Sequence, residues 1–455
     1  MTGHQDPMGR PPARTGTPPG HASVPARTHT QAEYPPGPYA PWHGPGVQPP
    51  VPSAREPRPA VAVPPAPPEG PDGPAAPDGP AVPTAPDGAS ARRSVPQRIW
   101  CVDHDRMGLL AMSVWTERVP GRGEDAEPFV AYHLGSDQGM LAVFDGSGGA
   151  GAAPVWQAGD GQSRTSAWVG ARVARLATDV WFHDVAADGE PATPETLREY
   201  LRFFLGYAPQ RRSKISGTMR RQLPTTLAAV HYRLAGTREH PELELRPLWA
   251  GDSRAYVLRS RHGLQVLTRD HTRESDALEL LRSDPPMTNL VCADREFEID
   301  GRSLKHPLPC VLVAATDGFF GYVHTPADFE TLLLRTLHQA GTVEEWADLV
   351  RREVQAYTAD DASLAVVALG YRGFKDLREQ FAARLDELTE RYVRTRPRGL
   401  DRPAGPAGET GPGPAHAPDE PGDLPARVRA WQDSTWHAYR AGYETHLPPA
   451  LEERA

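Results

Sequence analysis

Carboxylate side chains stand at the ends of several apolar runs in this sequence, and most of them lie beside a glycine. Each run has the length of a β-strand. The pairs are Asp145-Gly146 after residues 140–144, Gly251-Asp252 after 248–250, Asp317-Gly318 after 310–316, and Asp360-Asp361 before 363–369. A strand end aims its carboxylate into a crevice, and a glycine lets a neighbouring backbone approach closely. We therefore expect these carboxylates to converge.

Convergent carboxylates repel one another unless cations neutralise them. Oxygen ligands without a cluster of His or Cys favour Mg²⁺ or Mn²⁺ over zinc. Two such ions that share a carboxylate lower the pKa of a bridging water and bind the oxygens of a phosphate monoester. The pattern therefore indicates direct hydrolysis of a phosphate ester, without a covalent nucleophile.

The glycine-rich string at residues 145–149 has other possible readings, and its spacing disfavours them. Asp145-Gly146-Ser147-Gly148-Gly149 lacks the Gly-Lys-Ser/Thr ending of a P-loop and the Gly-x-Gly-x-x-Gly spacing of a dinucleotide fold. Ser147 lies in an altered form of the Gly-x-Ser-x-Gly nucleophile motif. Neither nucleotide binding nor a serine nucleophile is favoured.

Helical periodicity lies between the apolar runs. Residues 163–184 place Trp168, Val173, Leu176 and Trp181 on one face, with Ser163 as the expected N-cap. Residues 329–337 and 346–354 predict two further helices, separated at Gly341. These helices are expected to cover a sheet, which predicts an α+β fold.

Composition divides the chain into five segments. Residues 1–97 form a Pro/Gly/Ala-rich arm that is expected to be disordered, because it has little apolar surface to bury. Residues 98–372 form the catalytic domain, 373–396 an amphipathic helix, 397–424 a Gly/Pro-rich linker, and 425–455 a short aromatic-faced helix and tail. The arm or the C-terminal helices could bind partners, or the helices could pack on their own domain.

Charge and cysteine content exclude several classes of protein. The net charge of −9 argues against a general nucleic-acid binder. Three cysteines without paired spacing predict neither a disulfide framework nor a zinc knuckle. The N-terminus lacks an export-signal pattern, and no apolar run approaches the length of a membrane span. We expect a cytoplasmic protein that does not bind membranes.

Taken in order, the motifs resemble the bacterial form of the metal-dependent PPM, or type 2C, serine/threonine protein phosphatases. The resemblance extends over residues 99–371. It rests on Glu124-Asp125-Ala126, Asp145-Gly146-Ser147-Gly148-Gly149, Thr225-Thr226-Leu227, Gly251-Asp252-Ser253-Arg254-Ala255-Tyr256, residues 267–272, Thr316-Asp317-Gly318, and Asp360-Asp361-Ala362-Ser363.

This resemblance implies a four-layer α-β-β-α sandwich of two mainly antiparallel sheets, with two Mg²⁺ or Mn²⁺ ions at one end and a weaker third. Asp145 would bridge the two ions. The Gly146 carbonyl and Glu124 would complete the coordination of one ion, and Asp317 and Asp360 would complete that of the other. Asp125 would act through bound water, and Asp252 would help hold the third ion.

The function implied is hydrolysis of phosphoserine and phosphothreonine in proteins by a water that bridges the ions, opposing a protein kinase. The alternative is a degenerate phosphatase fold that binds phosphoproteins or regulates them. Intact Glu124, Asp145, Asp317 and Asp360 favour the enzyme. The altered segments favour the binding module.

Three departures from the family pattern affect the site. Asp361 replaces the usual Asn, and Leu223-Pro224 replaces a glycine-bearing segment before the paired threonines. The family's phosphate-binding arginine has two candidates here, Arg118 and Arg122, neither at the usual spacing. We expect Arg118 to bind phosphate, because a predicted strand over residues 112–119 would give it a rigid mount, whereas Arg122 lies in a turn between glycines.

Overall fold

The chain is described here by a computed structural model that covers residues 99–104, 108–159, 161–209, 221–236, 241–283, 285–400 and 424–450. The arm at 1–97 lies outside the described residues, as does most of the expected linker at 397–424.

Strands whose every residue is buried form the centre of the molecule. The apolar runs seen in the sequence become these strands, because a strand covered on both faces needs apolar side chains in both directions. In chain order the strands are β1 (Ile99–His104), β2 (Leu109–Thr116), β3 (Phe129–His133), β4 (Gln138–Val143), β5 (Pro154–Gln157), β6 (Ser163–Thr165), β7 (Leu227–Gly236), β8 (Pro241–Ala250), β9 (Arg254–Arg259), β10 (Gly263–Val266), β11 (Asp300–Gly301), β12 (Leu304–Pro307), β13 (Cys310–Ala315) and β14 (Ala362–Leu369).

Helices flank these strands in sequence. They are α1 (Gly148–Gly151), α2 (Ser166–Asp188), α3 (Pro194–Tyr207), α4 (Ala277–Arg282), α5 (Asp317–Phe320), α6 (Pro326–Gln339), α7 (Val343–Tyr357), α8 (Phe374–Leu388), which continues as a π-helical turn at Thr389–Val393, and α9 (Leu424–Tyr443), which ends in a 3₁₀ turn at Glu444–His446. Among the helices described, none is long and apolar enough to span a bilayer.

The strands form two large antiparallel sheets and one small hairpin. The first sheet has the order β1-β2-β14-β13-β9-β10. The second has the order β11-β8-β7-β4-β3, with β12 also paired to β8, and β5 pairs with β6.

Three apolar cores separate four layers. The inner core lies between the sheets and contains Ala111 and Val367 of the first sheet and Leu141 and Val230 of the second. Neighbouring residues on the same strands point outward, because side chains alternate along a strand. Val366 joins the core beneath α6 to α9, and Met140 joins the core beneath α2 and α3. The α-β-β-α sandwich expected from the sequence is therefore confirmed.

Three details of the predicted elements were wrong. Helix α2 begins at Ser166 and is capped by Thr165, whose hydroxyl accepts from the Trp168 N–H at 3.1 Å; Ser163 lies in β6 instead. Leu176, assigned to the buried face, is 50% exposed, because small alanines form much of the buried stripe of α2. Strand β2 ends at Thr116, so the strand predicted over 112–119 stops before Arg118.

The C-terminal helices pack on the rest of the fold through a buried ion pair. Glu330 of α6 is fully buried and accepts two hydrogen bonds from Arg384 of α8, at 2.8 and 3.0 Å. The Tyr439 hydroxyl of α9 donates to the same carboxylate. Trp436, Tyr439 and Tyr443 of α9 join the outer core of the first sheet. One carboxylate thus links three helices.

We expect Arg384→Met to lower the free energy of unfolding by about 3 kcal/mol, because it leaves the Glu330 charge buried without its main partner. Urea denaturation followed by circular dichroism measures this change. Arg335→Met is the matched control, because Arg335 lies on α6, as Glu330 does, but forms an exposed ion pair with Glu353. A loss of unfolding free energy below about 1 kcal/mol is expected for it. Equal losses in the two variants would contradict the role given to Glu330.

Candidate active site

Several strands end together at one edge of the sandwich. In the first sheet Ala315 of β13 lies opposite both Leu364 of β14 and Arg254 of β9. In the second sheet Leu227, at the start of β7, lies opposite Ala250, at the end of β8. The antiparallel register therefore brings the loops that carry Asp145, Asp252, Asp317 and Asp360 to the same edge.

A cleft of about 390 Å³ opens at this edge. It is lined by Asp252, Asp317 and Asp360 from the predicted set, together with Arg254 and Tyr322. A larger cavity, about 560 Å³, lies on the outer face of the second sheet and contains none of the predicted residues. The chemistry points to the smaller cleft, because the acidic side chains converge there.

Burial and mutual repulsion act together on the acidic groups. Burial raises the pKa of Asp145 well above its ordinary value, and the charges of Asp125 and Asp252 raise it further. Burial likewise raises the pKa of Asp317, with added repulsion from Asp145, Asp252 and Asp360. Each carboxylate thus lies within the electrostatic field of several others.

The other two acidic positions of the early motif differ in their surroundings. Asp125 is buried, and its Oδ2 atom accepts from the hydroxyls of Ser363 and Thr316 at 2.8 and 3.1 Å. Burial raises its pKa as well. Glu124 is half-buried and accepts from the Thr165 hydroxyl at 2.5 Å. Its pKa is raised by burial and by the charges of Asp361 and Asp360.

The residues described contain no group of three or more Asp, Glu, His or Cys side chains drawn together tightly enough to hold a metal ion. The donor chemistry nevertheless fits Mg²⁺ or Mn²⁺, because carboxylate and carbonyl oxygens are the ligands that these ions prefer. A divalent cation would also offset the repulsion that raises the pKa of Asp145 and Asp317.

Two glycines allow the backbone at this edge to pack closely. A Cβ atom on Gly146 would lie 2.6 Å from the Glu124 carbonyl oxygen. A Cβ atom on Gly318 would lie 2.0 Å from the Asp361 carbonyl oxygen. Both distances are sterically forbidden for a side-chain carbon. The glycine beside each carboxylate therefore allows two acidic loops to approach more closely than any other residue would.

The paired threonines hold the Asp145 main chain. The Thr225 hydroxyl and the Thr226 N–H both donate to the Asp145 carbonyl, at 2.7 and 2.8 Å. The preceding Leu223 has a φ of +54°, in the left-handed region that glycine favours. It is fully buried, and its N–H donates to the Ser166 hydroxyl at 2.7 Å. The chain thus adopts this turn without the family's glycine.

Asp361 holds the loop that carries Glu124. One of its oxygens accepts from the Arg118 N–H at 2.8 Å, and the other accepts from the Glu124 N–H at 2.6 Å. An asparagine has only one side-chain acceptor oxygen and could not accept both bonds in this way. The extra charge considered from the sequence therefore has a positional role, and it also raises the pKa of Glu124.

The two candidate arginines are both exposed and lie beyond β2. The Arg118 charge acts on Asp360 and Tyr322, where it opposes the rise in their pKa caused by burial. The Arg118 N–H also donates to Asp361, next to Asp360 of the cleft lining, so Arg118 lies near the cleft. Arg122 lies in a turn closed by its N–H and the Val119 carbonyl, 2.9 Å apart.

Three supporting residues were missed in the sequence. Tyr322 lines the cleft, where burial and the charge of Asp360 raise its pKa to about 12. Thr165 donates to Glu124, and its position before α2 is a helix-cap signal that could have identified it. Arg172 of α2 donates to the Glu124 and Gly123 carbonyls at 3.1 and 3.4 Å. Burial lowers its pKa to about 10. Only the tertiary packing of α2 brings it there.

The C-terminal helix supports one wall of the cleft. Arg254 and Asp270 line the cleft and form a buried ion pair at 2.7 Å. The Arg254 guanidinium also approaches the Tyr443 hydroxyl of α9, at 3.5 Å. The Trp436 N–H of α9 donates to Asp276, the N-cap of α4, at 3.0 Å. Helix α9 thus contacts the wall from outside.

We expect Asp317→Asn to raise the melting temperature of the EDTA-treated protein by about 2–4 °C, because it removes one of the mutually repelling charges. We also expect Mn²⁺ to stabilise the unmodified protein but not this variant. Differential scanning fluorimetry with EDTA or with Mn²⁺ measures both effects. Asp179→Asn, at an exposed position on α2, is the control. It should change neither the melting temperature in EDTA nor the response to Mn²⁺. An unchanged Mn²⁺ response in Asp317→Asn would remove this residue from the metal site.

The sequence matches no model of a known protein family, and it matches no curated protein. Similar folds occur among solved structures. A bacterial serine phosphatase has 18% identity and a TM-score of 0.40, over 57% of this chain and 97% of that one. Stp1 of Staphylococcus aureus has 17% identity and a TM-score of 0.40, over 57% and 94%.

The serine/threonine phosphatase PstP/Ppp of Mycobacterium tuberculosis has 18% identity and a TM-score of 0.37, over 58% of this chain and 99% of that one. The structural neighbours are thus bacterial serine/threonine phosphatases.

Proposed function

We propose that this protein hydrolyses phosphate monoesters on serine or threonine residues of other proteins, with Mg²⁺ or Mn²⁺ as cofactor. The observation that carries the proposal is the convergence of Asp145, Asp252, Asp317 and Asp360 at one edge of the sandwich, with overlapping electrostatic fields. Its partners would be phosphoproteins and the kinase that phosphorylates them.

In this proposal Asp145 is the central metal ligand, because the charges of Asp125, Asp252 and Asp360 all act on it. Asp317 and Asp360 would complete the coordination of one ion, and Glu124 and the Gly146 carbonyl would complete that of the other. Asp125 would support the site through water, and Asp252 would hold a weaker third ion. When bound, the ions would polarise the phosphoryl group and lower the pKa of water.

The chain's own groups would position the substrate. The Arg118 guanidinium would bind the phosphoryl oxygens, since a planar fork of donors fixes the orientation of a dianion. Asp361 would hold Arg118 and Glu124 in one loop through their N–H groups. Tyr322, which lines the same cleft as Asp360, would help to orient that carboxylate.

One observation favours a second candidate, a phosphoprotein-binding module of the same fold. The arginine segment departs from the family pattern, and its two arginines, Arg118 and Arg122, are both exposed in the loop after β2 rather than on the strand. In that case Arg118 and the cleft would hold a phosphoryl group without hydrolysing it.

Hydrolysis of an aryl phosphate and of a phosphothreonine peptide distinguishes the two candidates. We expect release of phosphate with Mn²⁺, none with EDTA, and none from Asp145→Asn under either condition, because that variant lacks the central ligand. Circular dichroism should show that the variant is folded. Peptide binding without hydrolysis by the unmodified protein, with Mn²⁺ present, would support the binding module instead.

The two arginines give a second prediction. Arg118→Ala should raise KM for the phosphopeptide by roughly ten-fold, about 1.4 kcal/mol, because a bidentate donor to the phosphoryl group is lost. Arg122→Ala should have a smaller effect, and serves as the matched control from the same loop. Steady-state kinetics with Mn²⁺ measures both. The opposite ranking would assign the phosphate to Arg122.

A further inference from the structure

A third cavity, of about 340 Å³, is lined in part by the loop that leads to Glu124. Its lining includes three guanidinium groups, from Arg164, Arg172 and Arg175. Its other charged residues are Glu117 and Glu127, so the cations outnumber the carboxylates. Both oxygens of Glu117 already accept main-chain N–H groups, from Gly121 and Gly123. The cavity is therefore suited to an anion.

The arginines are held in place around one aromatic ring. The Arg172 guanidinium lies 3.9 Å from the centre of the Trp168 ring, and that of Arg164 lies 4.7 Å from it. Trp156, from the β5-β6 hairpin, stacks on Trp168 at 5.8 Å. A guanidinium fixed by stacking loses little further freedom when it binds a ligand. The site is thus organised before any ligand arrives.

Two polar groups of the lining have hydrogen-bonding capacity that no described residue uses. Arg175 donates through Nε to the Glu127 carbonyl, but its Nη atoms form no hydrogen bond within the described residues. The Trp115 side chain is buried, at 8% exposure, and over the same part of the chain its indole N–H has no acceptor. A buried donor without an acceptor, such as the Trp115 N–H, is costly, and an anionic ligand would satisfy it.

The cavity is joined to the active site by one short segment. Residues Glu117 and Gly121 line it, and the same loop continues to Glu124. Arg172 contacts the Glu124 carbonyl from the cavity side. We therefore expect a peptide that places its phosphoryl group at the cleft to pass this cavity within a few residues, since each extended residue spans about 3.3–3.6 Å.

We propose that this cavity binds a second anionic side chain of the phosphopeptide substrate, a carboxylate or a second phosphoryl group a few residues from the one removed. Arg175 and the Trp115 N–H donate to it, and Arg164 and Arg172 supply positive charge. The site makes the protein selective for acidic or multiply phosphorylated sequences. This inference rests on the proposed phosphatase function for the identity of the ligand.

The test uses the full chain and a set of phosphothreonine peptides of equal length. One position at a time, two to four residues on either side of the phosphothreonine, carries alanine, glutamate or a phosphonate that resists hydrolysis. At the best position we expect kcat/KM to exceed that of the alanine peptide by roughly ten-fold, as one charge-assisted contact allows. Comparison of glutamate with phosphonate distinguishes the two sources of charge.

Arg175→Ala should remove most of this preference, and Arg175→Lys should restore part of it, because the charge returns without the planar fork. Arg202→Ala on α3 is the control: Arg202 is exposed and paired with Glu296 outside the cavity, so the preference should remain. No preference at any position, or an equal preference in Arg175→Ala, would overturn the inference.

Binding of labelled peptides in EDTA, followed by fluorescence anisotropy, separates this inference from the proposed function. If the acidic peptides bind more tightly in an Arg175-dependent way but nothing is hydrolysed with Mn²⁺, the cavity assignment holds and the phosphatase activity fails. If hydrolysis occurs but neither binding nor kcat/KM depends on the second charge, the cavity assignment is wrong and the proposed phosphatase function stands.

Discussion

Repulsion among buried carboxylates at one edge of the sandwich is the constraint on which the rest of the structure depends. Asp125, Asp145 and Asp317 all have pKa values raised by burial and by neighbouring acidic groups. Such a cluster opposes folding unless the surrounding structure holds it. The two sheets supply that support, because β4, β8 and β13 are held by continuous antiparallel pairing up to the ends that carry Asp145, Asp252 and Asp317. The apolar cores therefore stabilise an arrangement that the charges alone would disperse.

Uncharged donors then fix the details of the site. Thr225 and Thr226 hold the Asp145 carbonyl, while Ser363 and Thr316 hold the Asp125 carboxylate. Hydroxyl and N–H donors orient an acidic group without adding a positive charge that would compete with a metal ion. At Asp361 the roles are exchanged, because here the acidic side chain orients the main chain. It accepts hydrogen bonds from two main-chain N–H groups and so joins the Glu124 loop to the start of β14.

The C-terminal helices are packed directly against the elements that form the cleft. Helix α9 meets the buried Glu330 through Tyr439 and meets the cleft wall through Tyr443 and Trp436. Arg254, which approaches Tyr443, pairs with Asp270 inside the cleft lining. Apolar packing of aromatic side chains and buried polar contacts act together here, so the position of α9 and the shape of the cleft wall depend on each other.

The sequence by itself determined the strands and helices that carry the acidic residues, because apolar runs and helical periodicity are local signals. Apolar runs at 310–316 and 363–369 correspond to β13 and β14, and the ordered motifs implied the four-layer fold. Tertiary structure decided the rest. The two hydrogen bonds to Asp361 join residues far apart in the chain, and the end of β2 before Arg118 depends on its pairing with β14. The cavity lined by Arg164, Arg172 and Arg175 likewise exists only because α2 packs against the loop before Glu124.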